Sequence, residues 1–257
     1  MNAVEAHNLS FNYKGAFVFD KLSFSVRKGS FITIVGKGGS GKSTLFKILS
    51  GDLKYGGSIL ILDKSIETSL DNCILGLISP NLDYFKEDVV IDELMGSLNN
   101  KGRAFDKIES DIKKISKKIG IDCFLNKKIK NLSIKEKILV QFALQFLLRP
   151  KVLVIDNCFS LLDLEKNEVI REVKRVFKKC TVINITNDVN ECLFGEEVMF
   201  LNDNLLIKKI YELDSENFIS NELDVPFMIL LSEKLKFYGL TDNVYFNVER
   251  LIDDLWE

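Results

Sequence analysis

Short uninterrupted apolar runs punctuate the chain: FITIV (31–35), SILIL (58–62), CILGLI (73–78), VLVID (152–156), TVINIT (181–186) and VMFL (198–201). Runs of this length are strand signals, and several are rich in Ile and Val as buried strands usually are. KLSFSV (21–26) instead alternates apolar and polar positions, the pattern of a half-buried strand. Helical periodicity falls between many of these runs. STLFKILSG (43–51) has apolar residues at helical spacing and closes on a glycine. Ile108, Ile112, Ile115 and Ile119 step by four, three and four, so they share one face of a helix ending near Gly120. Strands alternating with helices predict an α/β domain with a largely parallel sheet. The interval from about 81 to 150 has few strand signals and reads as a helical insertion. No internal repeat or low-complexity tract interrupts this order.

A chain of 257 residues, 46% of them hydrophobic, is large enough to bury a substantial core. Its 35 basic and 37 acidic residues leave a net charge of −2, which gives no global attraction to nucleic acid or anionic lipid. Residues 101–137 are rich in Lys and the last forty or so are mostly acidic, a distribution that fits either surface solvation or partner docking. Five cysteines (Cys73, Cys123, Cys158, Cys180, Cys192) are odd in number and too widely spaced for a CxxC pair, so they read as reduced cytosolic thiols. The N-terminus has neither a basic nor an apolar leader region, and the longest apolar stretch, 138–148, falls well short of the about 20 residues a spanning helix needs. The expectation is a protein soluble by itself. His7, the single histidine, excludes chemistry that needs a histidine pair.

The strongest chemical signal lies between FITIV and STLFKILS. GKGGSGKST, residues 36–44, satisfies G-x-x-x-x-G-K-[ST] in a strand–loop–helix context. Gly36, Gly38, Gly39 and Gly41 let the backbone, with Lys37 and Ser40 between them, wrap so that N–H groups face phosphate oxygens. The helix N-terminus at Ser43 and Thr44 adds a favourable dipole. Lys42 supplies positive charge for the β- and γ-phosphates, and the Ser43 hydroxyl is placed to hold Mg²⁺. Asp156, last in the apolar run VLVID, fits the acid that orients the Mg²⁺ shell. A nucleoside triphosphate with Mg²⁺ is therefore the expected ligand, and the family resemblance below implies ATP.

Four further stretches keep the order FNY (11–13), NLSIKEK (131–137), SLLD (160–163) and ITND (185–188). Together with the loop and VLVID, they resemble the ATP-binding cassette (ABC) ATPases over about the first 210 residues. The resemblance implies a P-loop NTPase fold of ABC type, with an ATPase domain at 1–215 that includes a helical subdomain at about 81–150. It maps the adenine-stacking aromatic to Tyr13, which otherwise is a plain strand aromatic. It places Ser160 and Asp163 at a dimer contact. The tail 216–257, with ELDVP, a helix, a Gly-containing turn and a closing VERLIDDLW helix, is similar to the short α-rich C-terminal extension of energy-coupling factor transporter ATPases. Its alternative reading is an ordinary acidic helix pair.

Departures from the family pattern concentrate where the γ-phosphate bond is broken. Asn157 stands where the family has a Glu general base, and it cannot take up a proton at neutral pH; losing a positioned base costs about 10²- to 10⁴-fold. Asn187 occupies the place of the switch His. GLISPNLDYF resembles the Q-loop region, yet Pro80 aligns with its Gln and no Gln is near in sequence. The signature LSGGQ appears as LSIKE. Ser133 and Glu136 there have the spacing of a capping box, which starts the following helix without nucleotide. Alternatively Ser133 and Lys135 reach a partner's ATP, with Lys135 bringing a charge to its γ-phosphate.

The resemblance thus implies an ATP-binding subunit that hydrolyses poorly and pairs, as a heterodimer, with a more active cassette. It further implies docking at the cytoplasmic face of the membrane, on a transmembrane scaffold subunit serving a vitamin- or metal-binding membrane component, without nucleic acid. A non-transport, ATP-gated regulatory module of the same superfamily is the other reading.

Overall fold

The computed structural model describes residues 1–81, 85–99, 105–162, 166–176, 180–202 and 205–256. In chain order the elements are β1 (Asn2–Tyr13), β2 (Ala16–Arg27), β3 (Phe31–Val35), α1 (Lys42–Leu49), β4 (Gly56–Ile61), α2 (Ile66–Asp71), β5 (Leu75–Ile78), α3 (Val90–Asn99), α4 (Phe105–Ile119) and α5 (Ile134–Leu148). There follow β6 (Val152–Asp156), α6 (Lys166–Val176), β7 (Thr181–Ile185), β8 (Glu197–Phe200), β9 (Leu206–Lys209), α7 (Ser215–Ile219), α8 (Phe227–Phe237) and α9 (Val248–Trp256).

Two sheets result. The larger has the order β5-β6-β7-β3-β8-β9 and is parallel except for β9, which pairs antiparallel with β8. Every residue of β3, β6 and β7 is buried, the consequence of helices covering both faces. A second sheet, β2-β1-β4, is antiparallel and lies outside the parallel pattern that the apolar runs predict. Its strands β1 and β2 face the core with one side only, as their mixed burial shows. Between the two sheets lies α1, with Leu45, Phe46, Ile48 and Leu49 buried against residues of both.

A second, larger core joins the helices of the 81–150 interval to the edge of the parallel sheet. Ile108, Ile112, Ile115 and Ile119 of α4 are all buried in it, and the helix stops at Gly120, whose φ is +75°. Within α5, residues Ile138–Leu147 are buried on every face, so this helix runs through the core rather than along its surface. Phe142 sits at its middle, with its ring centroid 5.6 Å from Phe159 and 5.9 Å from Phe146. The last helices attach through a separate cluster in which Phe218 of α7 meets Phe200 of β8 edge to face. All five cysteines are free thiols. No helix among the described residues is long and apolar enough to cross a membrane.

Phe142→Ala removes the ring that ties α5 to the turn after β6. Equilibrium denaturation is expected to show a loss of about 3–5 kcal/mol, and a loss below about 1 kcal/mol would mean that this core is not organised around α5.

Candidate functional site

Parallel strands deliver their C-terminal ends to one edge of a sheet, and ligands of open α/β folds bind at that edge. Here the ends of β3, β6 and β7 carry the phosphate loop, Asp156 and the 186–188 segment respectively. The loop returns into α1 at Gly41, whose φ of +97° and close packing both exclude a side chain: a Cβ there would lie 2.7 Å from the Phe19 ring. Because Gly41 is the N-cap of α1 and offers no side chain, the first N–H groups of the helix are left for an external acceptor. Nothing lies within 4 Å of a Cβ built on Gly38, so the outer face of the loop is open.

The Lys42 ammonium is buried beneath this loop. It donates to the carbonyls of Gly36 and Lys37, the latter at 3.0 Å, and to Ser40 Oγ at 3.3 Å. Burial lowers its pKa, and the Asp156 charge acts in the opposite direction. Ser43 is exposed in the first turn of α1, while the next residue, Thr44, is buried.

Asp156 is only 5% exposed. Its Oδ1 accepts from Asn157 Nδ2 at 2.9 Å, and its Oδ2 lies 3.5 Å from Ser79 Oγ. Desolvation pushes its carboxyl up to about 6, opposed by the Asn157 and Ser79 hydrogen bonds and by Lys42. A hydroxyl and a carboxylate are hard oxygen donors, and two protein ligands completed by phosphate oxygens are what Mg²⁺ ordinarily takes. Ser43 and Asp156 thus suit Mg²⁺.

Asn157 occupies left-handed backbone space, φ +49°, which Asn tolerates better than most residues. Both heteroatoms of its amide make a hydrogen bond inside the site. Nδ2 donates to Asp156, and Oδ1 accepts from the backbone N–H of Asn187 at 3.0 Å, so one side chain ties the end of β6 to the segment after β7. The side chain at 187 is exposed and lines a cavity of about 890 Å³ together with Gly36, Lys37, Gly38 and Glu222.

Other expected positions are more scattered. Tyr13, 47% exposed at the end of β1, stands edge to face with Phe11 at 4.8 Å. The aromatics that line the cavity beside Gly38–Ser40 are Phe17 and Phe19 of β2, which pattern alone did not single out. The first of these is 67% exposed. Ser133 caps α5: its Oγ accepts from Glu136 N–H at 3.2 Å while Glu136 Oε2 accepts from Ser133 N–H at 2.8 Å. Lys135, half-buried, follows on the first turn of α5. Ser160 is exposed in the 3-10 turn Phe159–Leu161, and Asp163 lies outside the described residues.

Two features escaped the sequence reading. Gln141, 62 positions from Ser79 along the chain, contacts that residue directly, so a glutamine does reach the segment before Pro80. The phosphate loop also touches the C-terminal part of the chain: Lys37 Nζ lies 3.1 Å from Glu222 Oε2. Only two opposite charges at distant positions signalled that contact.

Similarity to known proteins agrees with this geometry. Residues 19–160 match the ABC transporter family profile. The energy-coupling factor transporter ATP-binding protein EcfA1 of Mycoplasma genitalium is 32% identical over 264 residues, covering 97% of this chain and 95% of its own. The protein of the same name from Oenococcus oeni is 31% identical over 272 residues, covering 100% and 98%. Against EcfA1 of Mycoplasma capricolum identity is 32% over 270 residues, but the chain spans only 65% of that relative's length. Among solved structures, CbiO1 from Clostridium perfringens, described as part of the ABC transporter complex CbiONQ, superposes with a TM-score of 0.69 at 21% identity over 92% of this chain and 95% of its own. A dimeric ATP-binding cassette in a post-hydrolysis state with ADP and Pi gives 0.70 at 21% identity over 82% of this chain and 100% of its own. At such identity these two structures establish the fold alone.

Between the ordinary carboxylate value and about 6, the folded chain holds a proton on Asp156 that the unfolded chain has released. Stability therefore falls as pH rises through that window, and above it the cost is on the order of 2–3 kcal/mol. Asp156→Asn is expected to melt higher than wild type at about pH 8, with the gap closing toward pH 4. Thermal unfolding at both ends of the range checks this, and a pH-independent gap would show that Asp156 is not the titrating group.

Proposed function

The chain belongs to the ABC transporter family, among the energy-coupling factor transporter ATP-binding proteins, and we propose that it is the MgATP-holding, hydrolysis-poor member of an ATPase pair. The observation that carries this reading is the Asn157 amide. One of its N–H groups goes to Asp156 and its oxygen accepts from the Asn187 backbone, in the place where a proton acceptor for the attacking water belongs. An amide holds such a water without accepting its proton, and this step alone is worth about 10²- to 10⁴-fold in rate.

The binding half rests on groups that this chain retains. Backbone N–H groups of 36–44 and the open N-terminus of α1 receive phosphate oxygens. Lys42 exchanges its loop carbonyls for the β- and γ-phosphates. Magnesium, when bound, neutralises charge between those phosphates, and Ser43 and Asp156 are the residues that hold it. Phe17 and Tyr13 are the candidate platforms for the base, of which Phe17 lines the cavity next to the loop.

In a pair of cassettes, this phosphate loop would face the partner's signature segment, while LSIKE and Ser160 would face the partner. The same reading supplies the remaining components: a transmembrane scaffold at the cytoplasmic face of the membrane, and a membrane component that captures a vitamin or metal ion. Support comes from the near-complete coverage of the Mycoplasma genitalium and Oenococcus oeni relatives.

Titration of the purified chain with labelled ATP and Mg²⁺ tests both halves. Wild type is expected to bind, and Lys42→Ala to bind at least about 10-fold more weakly, the worth of a charge-assisted contact. Turnover is expected to fall about 10²-fold or more below that of a cassette with an intact base. Turnover equal to such a cassette, and abolished by Lys42→Ala, would refute the hydrolysis-poor assignment.

A further inference from the structure

Strand β5 is an edge of the parallel sheet, so one row of its backbone groups has no strand neighbour. Two glutamines one turn apart on α5 cover that row. Gln141 makes a two-point contact with Ser79: its Oε1 accepts from the Ser79 N–H at 3.0 Å and its Nε2 donates to the Ser79 carbonyl at 3.1 Å. Gln145 donates to the Leu77 carbonyl at 3.4 Å. Alternation along a strand sends the groups of 77 and 79 to the same side, and side chains four apart on a helix share a face, so the pairs match in register. The fit is close enough that a Cβ on Gly76 would lie 2.3 Å from Gln145 Oε1. Gln141 is 1% exposed and Ser79 is fully buried.

Covering an edge accounts for Gln145 completely. It does not account for what continues beyond Gln141. The residue that Gln141 clamps is the one whose hydroxyl lies 3.5 Å from Asp156 Oδ2, while Asn157 holds the other oxygen of the same carboxylate. Ser79 Oγ also accepts from Asn81 N–H at 3.3 Å, so its hydrogen points away from that donor and toward the acid. Accordingly, we propose that Gln141 is a positioning residue for the magnesium carboxylate: by locking the Ser79 backbone from both sides it fixes the hydroxyl that orients Asp156. Through it, the helix headed by LSIKE acts on the metal side of the nucleotide site. It does so beside Pro80, where the family resemblance places a Gln. The inference deepens the MgATP reading and rests on it.

The test is equilibrium binding of labelled ATP to the full chain, once with Mg²⁺ and once with EDTA, in wild type, Gln141→Leu, Ser79→Ala and Gln145→Leu. Partners that orient a metal ligand without touching the metal are worth on the order of 10-fold or more in affinity. The gain in affinity on adding Mg²⁺ is therefore expected to shrink by about 10-fold in Gln141→Leu and Ser79→Ala, with binding in EDTA unchanged within about twofold. Gln145→Leu removes an edge bond with no route to Asp156, so it lowers the melting temperature and leaves the Mg²⁺ gain intact. Ser79→Ala keeps the backbone clamp and decides the matter if Gln141→Leu does not fold. An unchanged Mg²⁺ gain in folded Gln141→Leu or in Ser79→Ala, or an equal loss in Gln145→Leu, would overturn the positioning role. Wild type that binds no ATP under either condition would instead overturn the MgATP reading, and the positioning role with it.

Discussion

A carboxylate kept almost out of water at the end of β6, close to a lysine kept out of water beneath the phosphate loop, is the constraint around which the site is arranged. Neither charge is well solvated, so each needs hydrogen bonds from its surroundings. Lys42 finds them in loop carbonyls, and Asp156 finds them in Asn157 and Ser79. Holding such an acid costs folding free energy that a bound dication and triphosphate return. The fully buried strands β3 and β6 set where these two groups stand, since Asp156 ends β6 and the loop before Lys42 follows β3.

Much of this was legible from residue order. Continuous apolar runs such as FITIV and VLVID can bury both faces only within a covered parallel sheet, and the strands form where those runs stand. Isoleucines at 108, 112, 115 and 119 announced the buried face of α4. Glycine spacing before Lys42 and Ser43 placed a strand–loop–helix turn there, and β3 and α1 flank it as expected because the three are contiguous in sequence. What stayed hidden depends on contacts between distant segments. Gln141 reads as a polar interruption in an apolar helix until β5 proves to be an edge strand that it covers. β9, four residues of alternating burial, is too short to stand out, and the second, antiparallel sheet draws on the long strands β1 and β2, whose one-sided patterns are broken by register shifts. Phe17 gained its place beside the loop from the hairpin joining β1 to β2, which no local motif specifies.

The C-terminal segment is joined to the rest at two levels. Phe218 and Ile229 pack into a cluster with Val35, the residue just before the phosphate loop. Above that apolar seam, Lys37 pairs with Glu222, and the Asn190 side chain accepts from the N–H of Phe227 at the start of α8. An exposed ion pair of this kind contributes about 1 kcal/mol at most, so the apolar cluster sets the attachment and the charges refine its register. Residues 222–225 and Phe227 consequently line the same cavity as the phosphate loop and Asn187.

The left-handed backbone at Asn157 makes this position hard to change. A glutamate at that position loses Asn's tolerance of positive φ, removes the donor that quiets Asp156, and sets a second negative charge beside a carboxyl already reluctant to ionise. Three penalties arrive together with one substitution, before any neighbour has adapted. All three act in the same direction, so a carboxylate at 157 is tolerated only when its neighbours change with it.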